Sequence, residues 1–204
     1  MEIVGDLLKH KANTETRGFS GCNALEWVVY KDHAEVARLL RRYGADVKAQ
    51  DGNENTSLYW ALERGNLAAA QALIRQGADV KALCKNNQTL LHRVKGEEAA
   101  RLLIEHGADA NALYIKNRTP LHLASENGRV GVVRVLLEHS ADGNARDASN
   151  ATPLHLAAIS GVPPPPHAKI PRLLPPYGRD GRARDDKSQT PSMRATANVH
   201  DDIM

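Results

Sequence analysis

A tripeptide, Gly-Ala-Asp, recurs along this chain of 204 residues at almost constant intervals. Its copies, the last of which reads Ser-Ala-Asp, begin at Gly44, Gly77, Gly107 and Ser140. The intervals between them are 33, 30 and 33 residues. A second marker with the same spacing consists of four-residue motifs that begin at Thr56, Thr89, Thr119 and Thr152. Two independent markers with one such period predict a repeat protein, in which each unit buries its apolar face against its neighbours.

The most complete copy of the repeat begins at Thr119 and reads Thr-Pro-Leu-His-Leu-Ala. Gly128, the valine pair 132–133 and the leucine pair 136–137 follow it, before the altered tripeptide. This pattern resembles the ankyrin repeat, and the resemblance covers most of residues 23–161. It implies an all-α ankyrin-repeat solenoid, in which each unit is a β-turn finger with two antiparallel helices. In that family Thr begins the first helix, and the glycine that ends the second helix is its C-cap.

The repeat pattern also predicts the organisation of the chain. Residues 1–22 are interpreted as the second helix and the finger of a partial repeat, and residues 23–161 as the ankyrin-repeat stack. Within the stack we predict four repeats and the first helix of a fifth, at residues 23–55, 56–88, 89–118, 119–151 and 152–161. The third repeat is three residues short between His92 and its second helix. Its first helix should therefore end early.

Residues 162–204 contain eight of the ten prolines of the chain. A five-residue insertion, 162–166, begins this segment, and Thr190 lies 38 residues after Thr152, which is one repeat of 33 plus the inserted five. Three prolines fall where a second helix should lie, at positions 171, 175 and 176. Each proline inside a helix removes a hydrogen bond and costs about 3 kcal/mol. We therefore predict a degenerate repeat and an irregular, poorly ordered proline-rich tail.

The charge balance and the cysteine content limit the classes of function. Lys and Arg number 27 and Asp and Glu 24, so the formal net charge is +3, too even for binding nucleic acid through its phosphates. Cys22 and Cys84 are too few for a disulfide framework and fit a reducing compartment. The first residues lack a signal-peptide pattern, and no apolar run reaches the roughly 18 residues of a membrane helix. We expect a soluble chain in the cytoplasm, or alternatively in the nucleus, without membrane or nucleic-acid contacts.

Candidate catalytic and metal-ligating residues are weak throughout. The sequence contains neither a glycine-rich phosphate loop nor a nucleophile elbow, so we expect no enzyme activity, no catalytic residues and no cofactor. His92, His122 and His155 occupy the same motif position in successive repeats, and side chains so placed do not converge on one ion. We therefore expect no metal site. The resemblance instead implies that each ring bonds to the backbone of a neighbouring turn.

Three consecutive apolar residues, Leu113, Tyr114 and Ile115, stand out on a finger, where polar turn residues are usual. Exposed apolar clusters mark interaction sites, and tyrosine is frequent at binding hot spots. The cluster is interpreted as a partner contact; the alternative is that the shortened third repeat tilts this finger inward and buries it. Trp27 and Trp60, which lie 33 residues apart at the leucine position of the first helix, are predicted to be core residues.

The resemblance also implies where a partner binds. The binding face of an ankyrin stack is concave and comprises the finger tips and the exposed side of the first helices. Besides the apolar cluster, the candidates on the fingers are Phe19, Leu83, Lys85 and Arg146. The candidates on the first helices are Tyr30, Arg64, Glu126 and Asn127.

These features favour a non-catalytic protein-interaction module or adaptor that binds a partner protein as a monomer. A rigid stack pre-orders its contact residues, so binding loses little conformational entropy. The family includes adaptors, inhibitors, transcriptional co-regulators and pathogen effectors, so the resemblance also allows a regulatory or co-regulator role. Two alternatives stay open. One is a truncated or degenerate fragment of a larger ankyrin-repeat protein with no activity of its own, and the other is the regulatory segment of an enzyme.

Overall fold

The computed structural model describes residues 2–18, 21–159 and 181–201, and within them the chain is mostly helical. The chain divides into two units, Met1–Leu90 and Leu91–Met204. The helices of the first unit are α1 (Glu2–Lys9), α2 (Ala24–Tyr30), α3 (Ala34–Arg42), α4 (Ser57–Glu63) and α5 (Leu67–Arg75). A short antiparallel hairpin follows them, in which β1 (Leu83–Cys84) pairs with β2 (Gln88–Thr89) across a 3-10 turn at Lys85–Asn87.

A short helix, α6 (Leu90–Arg93), begins at the last residue of the first unit. The second unit continues with α7 (Glu97–Glu105), a 3-10 turn (Ile115–Asn117), α8 (Pro120–Glu126), α9 (Val130–Glu138), α10 (Pro153–Ile159) and α11 (Pro191–Asp201). Helix α6 has four residues, whereas α4 and α8 have seven. The early end that the shortened third repeat predicts is therefore confirmed. None of the helices in the described residues is long and apolar enough to cross a lipid bilayer.

The first helices α4 and α8 begin at threonines whose side chains cap them. Oγ1 of Thr56 accepts a hydrogen bond from the amide of Tyr59, 3.3 Å away. Oγ1 of Thr119 accepts one from the amide of His122, 3.4 Å away. The first amides of a helix have no partner within it, so a threonine at this position supplies one and starts the helix. The recurrent threonine is thus a helix-start signal.

The recurrent glycine is a helix-stop signal. Gly44, Gly77 and Gly107 follow the second helices α3, α5 and α7, and each has a φ of 90°. This left-handed region suits glycine, which has no Cβ to clash. At the end of α3, the amide of the residue after Gly44 donates to the carbonyl of Leu40 at 3.1 Å. Carbonyls at the helix end therefore find partners as the chain turns into the finger.

Aspartates close three of the fingers between repeats. Oδ1 of Asp51 accepts hydrogen bonds from the amides of Asn53 and Asn55, at 2.8 and 2.9 Å. Oδ1 of Asp147 and Oδ1 of Asp185 bind the corresponding amides two and four residues on, at distances from 2.8 to 3.0 Å. Such bonds from a carboxylate to nearby amides stabilise a tight turn locally. The fingers therefore owe much of their shape to one side chain each.

The core of each unit consists of small aliphatic side chains. Helix α2 packs on α3 and α4 in the first unit, and α8 packs on α9 and α10 in the second. The third position of the first-helix motif is fully buried in three repeats, at Leu25, Leu58 and Leu121. Buried leucines recur in the second helices at Leu40, Leu73, Leu103 and Leu136. Leucine, alanine and valine side chains therefore make up most of the core among the described residues.

Residues 181–201 form a finger and helix α11, where the proline content of the tail predicts irregular structure. Helix α11 packs on α10, and Nε2 of His155 lies 3.1 Å from the carbonyl oxygen of Gln189 in this finger. Asp185 is buried, and its carboxylate bonds to Arg194 on α11. These polar contacts bind residues 181–201 to the fifth repeat. Helix propensity and proline content do not take such contacts into account. The tail prolines at positions 163–166, 171, 175 and 176 lie outside the described residues.

Candidate functional site

Three aromatic rings lie together on the first helices of the N-terminal unit. Trp27 and Tyr30 on α2 are stacked, with ring centres 5.7 Å apart and planes 17° apart. Trp60 on α4 meets Tyr30 edge-on, with ring centres 5.3 Å apart and an interplanar angle of 86°. Residues three apart share a helix face, and residues one repeat apart share a position in the stack. The repeat itself therefore brings these rings together.

Two cations lie over the rings. Nζ of Lys31 is 5.1 Å from the ring centre of Trp27 and 5.5 Å from that of Tyr30. The guanidinium carbon of Arg64 is 3.8 Å from the ring centre of Tyr30. Such cation–π contacts contribute about 0.5–1 kcal/mol each at exposed sites, and they restrict two otherwise mobile side chains. We name these five residues, Trp27, Tyr30, Lys31, Trp60 and Arg64, the aromatic–cation surface.

The prediction that both tryptophans are core residues is wrong for Trp27, which is 50% exposed. Trp60 is half-buried, and its indole N–H donates to Oδ2 of Asp51 at 3.0 Å. The physical reason is the helix period, since residues two positions apart point about 200° apart. Leu25 and Leu58, two residues before the tryptophans, fill the core. The tryptophan position therefore faces away from it.

Trp27, Lys31 and Trp60 are the surface residues that the sequence interpretation missed. A signal for the tryptophans exists in the register of the motif. Leu123 occupies the same position in α8, and it is only partly buried there. Leu156 at the same position of α10 is buried, so the motif register allows an exposed ring at this position but does not require it.

A groove of about 650 Å³ adjoins the aromatic–cation surface. It is lined by residues 30–32, at the end of α2 and in the loop after it, and by residues 64–68, in the loop after α4 and at the start of α5. The side-chain amide of Asn66 donates to the carboxylate of Asp32, which ties one loop to the other. The groove therefore combines apolar ring faces with exposed cations between two linked loops. This chemistry suits a segment that carries both apolar and acidic side chains.

The three residues of the apolar finger cluster in the second unit differ in their exposure to solvent. Leu113 and Ile115 are 64% and 53% exposed. Tyr114 between them is half-buried, and its ring centre lies 5.6 Å from that of His92. In the register of the repeat, Tyr114 stands where Asp147 closes another finger. The alternative in which the finger buries the whole cluster therefore fails for the two aliphatic residues.

The other candidate residues on the fingers differ in their hydrogen bonds. Leu83 is exposed on β1, and its carbonyl accepts a hydrogen bond from Nε2 of Gln50 at 3.1 Å. Arg146 is exposed, and its Nη1 donates to a carbonyl of its own finger at 3.2 Å and to one of the next finger at 3.0 Å. Phe19 and the side chain of Lys85 lie outside the described residues. Arg146 therefore links successive fingers.

The first-helix candidates of the second unit take part in bonds within it. Nη1 of Arg118 lies 3.2 and 3.1 Å from the two carboxylate oxygens of Glu126. Nδ2 of exposed Asn127 donates to the carbonyl of Leu123 at 2.7 Å. Helix α8 therefore presents polar groups that already have partners, whereas Tyr30 and Arg64 of the first unit belong to the aromatic–cation surface.

The motif histidines bond as the resemblance implies. Nδ1 of His122 accepts a hydrogen bond from the amide of Thr119 at 3.2 Å, so Nε2 carries the hydrogen and donates to the carbonyl of Ala151 at 3.1 Å. His92 and His155 each bond through Nε2 to a carbonyl, at 3.2 and 3.1 Å. Burial lowers the pKa of all three imidazoles and favours their neutral form. These side chains are structural.

Comparison with known proteins agrees with this arrangement. A family model of three ankyrin repeats matches residues 1–84, 25–114, 58–147 and 94–185. Among solved structures, the ankyrin repeat domain of Bcl-3, a unique member of the IkappaB protein family, is similar, with a TM-score of 0.79 and 27% identity. This match covers 98% of the present chain and 91% of the Bcl-3 chain. A comparison with curated protein sequences gives no match.

Proposed function

Because the chain belongs to the ankyrin-repeat family, whose repeats generally act as protein–protein interaction modules, we propose that it is a non-catalytic adaptor that binds a partner protein. The contact face comprises the first helices and the fingers, with the aromatic–cation surface as its main contact in the first unit. The observation that carries this proposal is the exposure of Trp27, a ring that is stacked on Tyr30 instead of being buried.

Energetic considerations support this surface. Burying a large apolar side chain contributes about 1.5–3 kcal/mol, and tryptophan, tyrosine and arginine are the residues most frequent at binding hot spots. The rings of Trp27 and Tyr30 are already stacked on each other in the free chain, and Arg64 already lies over Tyr30. Little side-chain entropy remains to be lost on binding. The surface is thus pre-organised for a partner.

The chemistry of the surface indicates the kind of partner. Lys31 and Arg64 place cationic groups beside the rings, so a partner segment with carboxylates near an apolar side chain complements both features. The likeness to the Bcl-3 domain supports a regulatory role for such an adaptor. In the second unit, exposed Leu113 and Ile115 provide a further apolar contact on the finger.

The test is affinity capture from a cell lysate with the full chain and two variants. Trp27→Ala removes the exposed ring, and Tyr43→Ala is the matched control because Tyr43 is also exposed in the first unit but lies at the end of α3. We expect a partner that both the unchanged chain and Tyr43→Ala retain and that Trp27→Ala loses by tenfold or more, with unchanged circular dichroism. Equal capture by all three chains would exclude this surface.

A second variant tests the partner chemistry. Lys31→Glu combined with Arg64→Glu reverses both charges and leaves the rings in place. We expect it to abolish capture of an acidic partner, and we expect the binding of that partner by the unchanged chain to weaken as the salt concentration rises. Retention of the partner by this double variant would show that the rings act without the cations.

A further inference from the structure

Glu26 stands in the first repeat where a histidine stands in the repeats of the second unit. It is the fourth residue of the motif that begins at Asn23, as His122 is the fourth residue of the motif that begins at Thr119. The residue has 0% of its surface exposed. A carboxyl group without a cation beside it is rarely buried, because water no longer stabilises its charge. Glutamate in place of histidine therefore changes the charge that this buried position can carry, and not only its shape.

One of the two carboxyl oxygens of Glu26 is well held. Oε2 accepts a hydrogen bond from the amide of Asn23 at 2.7 Å, and Oδ1 of Asn23 accepts one from the amide of Glu26 at 2.9 Å. This reciprocal capping box fixes the start of α2. It corresponds to the bond between the amide of Thr119 and Nδ1 of His122. Oε1, by contrast, has no hydrogen-bond partner in the described part of the chain.

The second unit shows which hydrogen bond the other polar atom of the side chain makes at this motif position. Nε2 of His122 donates to the carbonyl of Ala151, which also accepts the amide of Asp147 at 2.9 Å. In the first unit, the carbonyl of Asn55 stands at the same register position and accepts the amide of Asp51 at 2.8 Å. Among the described residues, no second donor to this carbonyl is found. A carboxyl group supplies one only when it is protonated.

The surroundings of Glu26 favour the protonated form. The titratable and charged groups that face it are Glu15, Arg17, Cys22 and Asp51. Burial raises the pKa of Glu26 to about 7, against the opposing effect of the Asn23 amide. The Asp51 and Glu15 carboxylates act in the same direction as burial and Arg17 opposes them, and the pKa of about 7 is the net result of all these effects. Nη1 of Arg17 is already bonded to a backbone carbonyl at 2.8 Å.

We propose that Glu26 is a proton-dependent switch of the first repeat. In the protonated state its carboxyl replaces the motif histidine, accepting from the amide of Asn23 and donating to the carbonyl of Asn55. In the ionised state the donor is gone and a buried charge remains, so the start of α2 loosens. Because Trp27 and Tyr30 lie on α2, ionisation also disturbs the aromatic–cation surface. This last consequence alone rests on the proposed function.

The sign of the effect follows from linkage. The folded-state pKa of Glu26 lies above its ordinary value of 4.5, so the folded chain binds this proton more tightly than the unfolded chain. The stabilisation is complete below pH 4.5 and is lost as the pH rises through about 7. We expect the ratio of folded to unfolded first unit to fall about tenfold or more between pH 5.5 and pH 8.

The experiment is urea unfolding of the full chain without any partner, monitored by tryptophan fluorescence at pH 5.5 and pH 8. Both tryptophans of the chain, Trp27 and Trp60, lie in the first unit, so the signal reports that unit alone. Glu26→Gln provides a permanently neutral acceptor and donor, and we expect it to reduce the pH dependence to less than about twofold. Glu54→Gln, an exposed carboxyl of the same unit, should behave as the unchanged chain.

Two outcomes would overturn the switch. One is a Glu26→Gln variant with the pH dependence of the unchanged chain, and the other is an unchanged chain without any pH dependence. If Glu26→Gln does not fold, carbon-13 NMR of the Glu26 carboxyl in the unchanged chain decides the question. A titration midpoint near pH 7 supports the switch, and a midpoint below pH 5 overturns it. Neither readout involves partner binding, so failure here is distinct from failure of the proposed function.

Discussion

Helices α2 and α8 are the first helices of two repeats and have the same length, seven residues, and the same capping box at the start. The residue that completes the box is Glu26 in α2 and His122 in α8, and both are fully buried. The exposed sides of the two helices differ more. Helix α2 presents Trp27 stacked on Tyr30, whereas α8 presents Glu126 paired with Arg118.

The difference between α2 and α8 shows that the recurrent motif residues and the residues that vary between repeats have separate effects on the structure. Caps, helix stops and buried leucines recur in both units and determine where the chain turns. The residues at the remaining motif positions decide what each unit presents and how it titrates. Comparison of equivalent positions therefore identifies functional residues better than comparison with an average repeat.

The largest effect is expected for His122→Ala in the second unit. It removes a buried ring, leaves the amide of Thr119 without this partner and takes away one of the two donors to the carbonyl of Ala151. We expect a loss of about 3 kcal/mol in the free energy of unfolding of that unit. Circular dichroism measures it, and half-buried His139→Ala is the matched control, with a loss below about 1 kcal/mol. Equal losses would contradict the special role of the motif position.

Tyr114→Ser should cost about 1.5–2 kcal/mol, because its half-buried ring packs on His92 at the base of a finger. Denaturant unfolding followed by circular dichroism checks this value. Leu113→Ser at the neighbouring exposed position is the control. If both variants unfold alike, the division of the apolar cluster into a packed and an exposed part is wrong.

The two units should respond oppositely to acid. Burial lowers the pKa of His92, His122 and His155, so the stability of the second unit is complete above the ordinary value of 6.5 and is lost as the pH falls through the folded-state values. The first unit gains stability over the same range through Glu26. In urea unfolding, the midpoint by tryptophan fluorescence should therefore rise from pH 8 to pH 5, whereas circular dichroism, which reads the helices of both units, should show a further transition whose midpoint falls. Midpoints that move together would contradict the comparison.

The smallest effect on stability is expected for the double variant Leu113→Ser with Ile115→Ser. Both side chains are exposed, so the free energy of unfolding should change by less than about 0.5 kcal/mol. Capture of a partner should nevertheless weaken several-fold if the finger is part of the contact face. Unchanged capture would restrict that face to the first helices.

Much of the fold could be predicted because the repeat markers act locally. Thr56 and Thr119 cap helices through their own side chains, and the deletion after His92 shortens α6 by leaving no room for another turn. Helix α11 could not be predicted, because its order depends on contacts such as that of Arg194 with Asp185. The number of prolines in the tail does not reveal such contacts.

The candidate site was predictable only in part. The resemblance placed Tyr30 and Arg64 on the first-helix face, and the structure joins them in one cation–π contact. Trp27 was assigned to the core because a large apolar side chain is usually buried, yet the core at this point is already filled by Leu25. The unpaired oxygen of Glu26 depends on three-dimensional surroundings that spacing does not reveal.

The bond from His155 to Gln189 spans 34 residues, whereas its counterpart from His122 to Ala151 spans 29. The difference of five residues equals the insertion at 162–166. Despite this difference, each of the two motif histidines reaches a carbonyl of the next finger, and α11 packs on α10 as α10 packs on α8. The repeat register of the described residues is therefore set by contacts between neighbouring repeats and not by a fixed number of residues between them.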